Sequence, residues 1–257
     1  MADSSRRQHQ TSDYIDRSYR DFSSGERFVA FSVAWKETDL YIKAARDLSN
    51  EALQSAMRCR RAIEEYIAGR PGFETSWVPL APDPEAPAVV REMLRAAAVA
   101  SVGPMAAVAG AISEEIGRDL AAFSEEVIVE NGGDIYLALS RPAVVGLFAG
   151  ASSLSMRIGV RIEPGATPCG LCTSSGTVGP SLSLGRADAV TVWAPSAALA
   201  DAAATGLGNM VTSPDEIEPA LERAQAIPGL TAVMIVCGDR IGVWGPLDLV
   251  QLESSTA

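Results

Sequence analysis

The sequence predicts an α+β protein with mainly antiparallel sheets packed by helices. Three observations lead there. Apolar runs separated by Gly-Asp turns recur, as in β-hairpins. Helical patterns stand between those hairpins in blocks, so the regular strand–helix alternation of a parallel sheet is missing. A helix–loop–hairpin order occurs twice, in copies of very different sequence, which suggests an internal pseudo-two-fold repeat.

Taken in order, residues 1–24 are polar and charge-mixed, and read as a mobile N-terminal arm. Residues 25–250 read as a single domain and 251–257 as a C-terminal tail. "RFVAFSVAWKETDLYIKA", Arg27 to Ala44, is an extended apolar run broken at Lys36-Glu37-Thr38, which predicts a hairpin. Ser49 can cap a helix from Asn50 to about Ala68, ended by Gly69. A Pro-rich loop follows. Helical pattern resumes at Ala88, stops near Gly103-Pro104, and restarts from about Met105 to Phe123. Two apolar runs then flank Asn131-Gly132-Gly133-Asp134, which suits a tight turn needing positive φ. In the last third, Ser196 to Met210 is a small-residue helix. Pro214 to Ala226 is another helix, with Ser213 as its cap. "LTAVMIVCGDRIGVWG" gives strand, Gly238-Asp239-Arg240 turn, strand.

Composition excludes several classes. The apolar fraction of 47% is enough for a full core, and a net charge of −11 disfavours nucleic-acid and anionic-membrane surfaces. The longest apolar stretch, Ala96 to Ile112, is short for a membrane span and carries Gly103-Pro104 in its middle. The N-terminus lacks the apolar core of a signal peptide, so the expected location is cytoplasmic. No GxGxxG follows a strand and no Walker A sequence is present.

Four places could carry chemistry. Cys169 and Cys172 form a CxxC, but Pro168 precedes them and a Ser/Gly loop follows, unlike a thiol pair that opens a helix. Zinc lacks a second ligand pair. Thr173 to Gly179, "TSSGTVG", offers hydroxyls and backbone N–H groups that suit phosphate oxygens, or forms an ordinary polar loop. Asp201 and Thr205 are four apart, so they share one face of a helix in which almost everything around them is Ala or Gly. That face supplies hard oxygens for Mg²⁺, or packs Asp201 against a backbone N–H. The Asn131–Asp134 turn is the fourth, with a plain hairpin as its alternative.

Three stretches occur together in a recognisable order: "VIVENGGDIYLAL", "CTSSGTVG" and "ADAVTVWAPSAALADAAATGLGNMV". Together they resemble the ApbE family of Mg²⁺-dependent FAD:protein FMN transferases, once linked to thiamine synthesis. The chain looks closest to the short, stand-alone cytoplasmic branch, and the likeness runs from about Phe28 to Gly245. It implies an ApbE-like, T-fold-like domain. It also places Mg²⁺ on Asp201, Thr205 and a backbone carbonyl at Ala107 or a neighbour. The flavin of FAD or FMN would lie by Asn131, Gly132, Gly133 and Asp134. The nucleotide would lie along Thr173, Ser174, Ser175, Gly176 and Thr177. The implied chemistry is release of FMN from AMP to a protein threonine or to water.

The departures bear on catalysis. Where the family transferases have a His after the Ser-Gly loop, this chain has "GPSLSLGRAD", with Pro180 in that place. Its one histidine, His9, is in the arm. A base must lie within hydrogen-bond reach of the proton it takes, so Asp134 is the remaining catalytic candidate. The expected ligand is a small flavin nucleotide, with no nucleic-acid or membrane partner and with a homo-oligomer left open. Two functions remain in view: a Mg²⁺-dependent flavin phosphoryl-transfer enzyme, and a non-catalytic flavin or nucleotide binder. A thiol redox protein using Cys169 and Cys172 is the outsider.

Overall fold

The computed structural model describes residues 27–177 and 184–252. The expected arm over residues 1–24 with His9, the segment holding Pro180, and residues 253–257 of the expected tail lie outside the described residues.

The first hairpin is β1 (Val29–Trp35) and β2 (Thr38–Ala44), turning at Lys36-Glu37. The helices α1 (Ser49–Gly69), α2 (Gly72–Thr75), α3 (Ala88–Ala100) and α4 (Val108–Leu120) follow. The strands β3 (Val127–Asn131), β4 (Asp134–Ala138), β5 (Ala143–Gly146), β6 (Ile158–Ile162) and β7 (Cys169–Ser174) come next. After them stand β8 (Ala189–Ala194), α5 (Ala197–Gly208), α6 (Ile217–Gln225), β9 (Ala232–Cys237), β10 (Arg240–Trp244) and β11 (Asp248–Gln251).

Among the described residues, eight strands form one sheet in the order β1-β2-β3-β4-β7-β8-β9-β10, and β11-β6-β5 form a second. Every neighbouring pair is antiparallel. The large sheet is two runs of four strands in chain order, each enclosing helices between its second and third strands. The Gly-bearing hairpins β3–β4 and β9–β10 occupy the same third and fourth places in the two runs. The doubled order read in the sequence is thus present in the sheet.

The sheet is buried on both faces, which is why its central strands read as unbroken apolar runs instead of alternating ones. Val127, Val129, Tyr136, Cys172, Val190, Val192 and Ile235 pack against the helices. Their neighbours Ile128, Leu137, Leu171, Ala189, Met234 and Val236 pack toward the smaller sheet. The helices therefore form one outer layer and β5, β6 and β11 the other.

Several boundaries differ from the sequence reading. Helix α1 begins at Ser49, with Leu48 at the cap position, and Gly69 is its last residue. The Asp47 carboxylate accepts the Ser49 N–H at 2.8 Å and holds Ser49 inside the helix. The Pro-rich loop contains α2, whose Phe73 is buried edge-on against Tyr66. The helix expected from Met105 to Phe123 is split, because Pro104–Ala107 forms a 3₁₀ turn before α4. Gln251 belongs to β11, not to a tail. Strands β5 and β6 lie in a stretch for which the sequence pattern predicts no element. No single helix among the described residues is long and apolar enough to cross a membrane, and α3 and the 3₁₀–α4 segment diverge by 107°.

Candidate functional site

Gly132 and Gly133 close the β3–β4 hairpin with φ of +66° and +105°. That left-handed backbone is cheap only for glycine. The turn is tied down on three sides. The Gly133 N–H donates to Glu130 Oε1 at 3.1 Å, and Thr173 N–H donates to the Gly133 carbonyl at 3.2 Å. Asn131 Nδ2 donates to the Ala109 carbonyl at 3.2 Å. The hairpin tip is thereby joined both to β7 and to the start of α4.

Asp134 opens β4 and lies directly opposite Cys172 of β7. Both side chains are buried on the helix face. Helix α5 presses onto that face through alanines, and glycines make the approach close enough. A Cβ on Gly170 would stand 2.2 Å from the Ala197 Cα, and one on Gly110 would stand 2.3 Å from the Ala197 carbonyl oxygen. This packing carries the buried Asp201 to α4, where its Oδ2 accepts the Gly110 N–H at 2.8 Å. Thr205, half-buried, follows one turn later on the same helix.

Asp134 lies close enough to Asp201 for that carboxylate's charge to raise its cost of ionisation. Burial, then the charge of Asp201, pushes the Asp134 carboxyl well above the usual carboxylate range, against a hydrogen bond from the Cys172 thiol. Burial pushes Asp201 up to about 7, against the N–H groups of Gly110 and Ala109. Two such carboxylates hold a proton between them or require a cation. The donor chemistry fits Mg²⁺, which takes hard oxygens. Among the described residues no cluster of three or more His, Cys, Asp or Glu side chains is placed to hold a metal. A cation here must therefore draw on the Thr205 hydroxyl and on backbone carbonyls, as the Ala107 assignment supposes. Ala107 is buried and ends the 3₁₀ turn.

The proposed nucleotide residues separate into two groups. Ser174 faces the C-terminal end of α5, its Oγ 3.7 Å from where a Gly208 Cβ would be. Gly176 lies against the Gly185 backbone, and Gly185 against the Gly208 carbonyl. Thr173, by contrast, is in β7 and not in a loop, and its hydroxyl meets that of Thr191 at 2.9 Å. By strand alternation it points to the face opposite Cys172. The hydroxyls of Ser175 and Thr177 meet at 3.3 Å, and Thr177 donates to Asp188 at 3.2 Å.

The same alternation disposes of the thiol redox reading. Cys169 packs toward the smaller sheet and Cys172 toward the helices, so the two thiols face opposite sides of one strand. Burial pushes Cys169 up to about 11 and Cys172 well above its ordinary value. The Cys172 thiol donates to the Ala197 carbonyl at 3.3 Å. Neither is a ready thiolate.

Sequence reasoning missed Ala109 and Gly110, which receive Asn131 and Asp201. Their signal was the small-residue run from Ala106 to Ala111, the counterpart of the alanines on α5.

Comparison with known proteins places this geometry in context. A family model described as AbpE bacteria matches residues 20–241. A UPF0280 protein of Methanococcus aeolicus is 43% identical over 217 residues, covering 82% of this chain and 88% of the relative. Another from Methanothermobacter thermautotrophicus is 47% identical over 203 residues, covering 77% and 78%. Among solved structures, the flavin transferase ApbE from Vibrio cholerae superposes with a TM-score of 0.55 at 16% identity, over 86% of this chain and 97% of that one. The ApbE protein from Thermotoga maritima gives 0.55 at 13% identity, over 84% and 96%. At such identities the likeness is one of fold.

Proposed function

The chain belongs to the AbpE bacteria family, and from that premise we propose that it binds a flavin nucleotide with Mg²⁺ at the Asp134–Asp201 site and slowly hydrolyses FAD. The observation that carries this reading is the pair of buried carboxylates, Asp134 beside Cys172 and Asp201 fastened to the Gly110 N–H. Burying two carboxylates is costly unless a cation or a proton compensates them.

Magnesium, when bound, neutralises charge on the pyrophosphate oxygens. Asp201, Thr205 and the Ala107 carbonyl are the residues that would hold it. The chain's own groups do the rest. The Gly132-Gly133 turn lets the ligand approach backbone closely, because neither residue presents a side chain. Ser174 offers its hydroxyl to the nucleotide, while the Gly176 N–H is held by the Ala187 carbonyl and contributes only a backbone without a side chain. Asp134, with its raised affinity for protons, takes a proton from the attacking water. In that reaction a water oxygen bonds to one phosphorus, the P–O–P link breaks, and FMN and AMP leave.

Transfer to a threonine hydroxyl is expected to be slow or absent. The one histidine of the chain is His9, and Pro180 has no proton to exchange. Losing a well-placed base costs roughly 10²–10⁴-fold in rate. The same observation favours a second reading, a flavin binder without turnover.

The test is to incubate the protein with FAD, Mg²⁺ and a threonine-containing peptide. AMP is followed by chromatography and covalent FMN by mass spectrometry. Slow AMP release without peptide labelling is expected. Binding without AMP favours the second reading. Absence of flavin binding overturns both, and efficient peptide labelling overturns the argument from Pro180.

A further inference from the structure

Strand β1 forms one edge of the eight-stranded sheet, and among the described residues only β2 pairs with it. A sheet edge presents a row of backbone N–H and C=O groups that another chain can use. Proteins usually blunt it with charge, proline or a short, interrupted strand. The opposite edge, β10, is blunted in this way: it has five residues, starts with Arg240 and carries Gly242 at its centre. The seven residues of β1, Val29-Ala30-Phe31-Ser32-Val33-Ala34-Trp35, contain no charge, proline or glycine. The charges flanking them are already engaged, Arg27 by Glu126, Lys36 by Glu64 and Glu37 by Arg60.

The residue order of β1 is nearly palindromic about Ser32. Phe31 balances Val33, Ala30 balances Ala34, and Val29 balances Trp35. Such a strand is complementary to itself when two copies run antiparallel about a two-fold axis. The backbone phase agrees. The two-residue turn at Lys36-Glu37 makes Trp35–Thr38 the closing pair, which exchanges backbone hydrogen bonds. By alternation, Val33, Phe31 and Val29 also turn their backbone groups inward to β2, and Ala30, Ser32 and Ala34 turn theirs outward. About an axis at Ser32, these three meet Ala34, Ser32 and Ala30 of a second copy, so each outward donor finds an acceptor.

The side chains agree as well. Phe31 and Val33 pack toward the helices. Alternation puts Val29 and Trp35, 43% and 37% exposed, on the same face. Across the axis Phe31 meets Val33 and Val29 meets Trp35, aromatic against β-branched, a pairing that stabilises antiparallel sheets. On the other face only alanine and serine meet. We propose that β1 is the contact between two copies of this chain, which join their large sheets antiparallel across a two-fold axis at Ser32. The proposal does not depend on what the Asp134–Asp201 site binds.

The experiment measures the mass of the full chain by light scattering during gel filtration, at several loading concentrations. A dimer is expected. Ser32→Lys sets two ammonium groups opposite each other at the axis and should weaken the dimer about tenfold or more. Ser32 is exposed, so circular dichroism should show the fold intact. Ile241→Lys, on the β10 edge, should leave the dimer unchanged. Ser32→Cys checks the register, because hydrogen-bonded partners in an antiparallel pair have Cα atoms about 5.5 Å apart, within disulfide range. Mild oxidation should lock this variant into a covalent dimer and leave wild type unlinked, since Cys59, Cys169, Cys172 and Cys237 are buried. A chain that stays monomeric at its highest soluble concentration overturns the proposal. So does a dimer that Ser32→Lys leaves intact, that Ile241→Lys breaks, or that Ser32→Cys does not lock.

Discussion

The Asp201 carboxylate accepts the backbone N–H of Gly110 at 2.8 Å, joining residues 91 positions apart on α5 and α4. The contact exists because Gly110 has no side chain. A Cβ there would be 2.7 Å from the Asp201 Cβ and 2.3 Å from the Ala197 carbonyl oxygen. Both neighbours belong to α5, and neither is the free end of a flexible chain. Gly110→Ala must therefore push the helices apart. We expect a loss of about 1–3 kcal/mol in urea unfolding, the usual cost of overpacking, together with weakened Mg²⁺ binding. Wild-type stability and metal affinity in the variant would mean that α4 and α5 separate freely.

Asp201→Asn isolates the charge from the packing. The amide oxygen still accepts the Gly110 N–H, while the negative charge beside Asp134 is gone. Metal-free stability should hold or rise, since a buried carboxylate no longer opposes its neighbour. Mg²⁺-dependent nucleotide binding should fall more than about tenfold. Titration calorimetry with FAD, with and without Mg²⁺, measures this; an unchanged affinity counts against Asp201 as the metal's main anchor.

Replacing Cys169 and Cys172 with Ser should leave ligand binding intact and lower stability. The two thiols are on opposite faces of β7, so no function can depend on their joining. Each is fully buried, and a hydroxyl placed there costs about 1–3 kcal/mol unless it finds a partner. Cys172→Ser retains one, the Ala197 carbonyl, and should be the milder change. Calorimetry and urea unfolding on the single and double variants separate binding from folding. Lost binding at full stability would restore a chemical role to the pair.

Much of this was legible in the sequence where a local rule sufficed. Gly132-Gly133 needed positive φ, and nothing else explains two glycines between apolar runs. Asp201 and Thr205 stood out because almost everything around them on α5 is Ala or Gly. What was not legible depended on which face a residue occupies. Reading Thr173 as loop hid its strand alternation, which turns its hydroxyl to Thr191 and away from Asp134. The sequence context already argued against Cys169 and Cys172 as a thiol pair, and the strand supplies the physical reason, since three positions along it reverse the face. The partners of Asp201 and Asn131 come from α4, and contacts so distant in sequence leave no periodic trace. Strands β5 and β6 are short and carry Gly146 and Gly159, so their pattern is weak.

Stability should decline in acid partly through Glu126. The Arg27 guanidinium, then the Ser140 N–H, hold this carboxyl down at about 2 against the effect of burial. Arg27 is also fastened to the Pro142 carbonyl at 2.8 Å, which ties the start of β1 to the β4–β5 connection. The unfolded chain has a glutamate near the ordinary value of about 4.3 and binds more protons than the folded chain below it. The contribution is therefore complete above about 4.3 and is lost as pH falls toward 2. Glu126→Gln should cost about 2 kcal/mol at neutral pH and flatten the acid limb. Urea unfolding over a pH series checks it; an acid limb as steep as wild type would assign the decline to other carboxylates.

Glu114 governs the same site from further away. Its Oε2 accepts the Ser196 hydroxyl at 2.9 Å and the Ala198 N–H at 3.2 Å, at the first turn of α5. Its Oε1 is held by Arg118. Ser196 in turn accepts the Leu199 N–H at 3.3 Å, so one buried carboxylate organises the cap of the helix that carries Asp201 and Thr205. Glu114→Ala leaves the Ala198 N–H buried without an acceptor, at a cost of about 2 kcal/mol. On the proposed Mg²⁺ site, metal affinity should fall as well, by less than in Asp201→Asn, because α5 is displaced but keeps Asp201 and Thr205. Glu114→Gln distinguishes the two ways a carboxylate can act here. An amide oxygen preserves the acceptor but not the charge that complements the helix N-terminus. Recovery of most of the stability and metal affinity in Glu114→Gln would assign the effect to the hydrogen bond. Equal loss in both variants would assign it to the negative charge itself, and would make α5 dependent on an acid outside its own sequence.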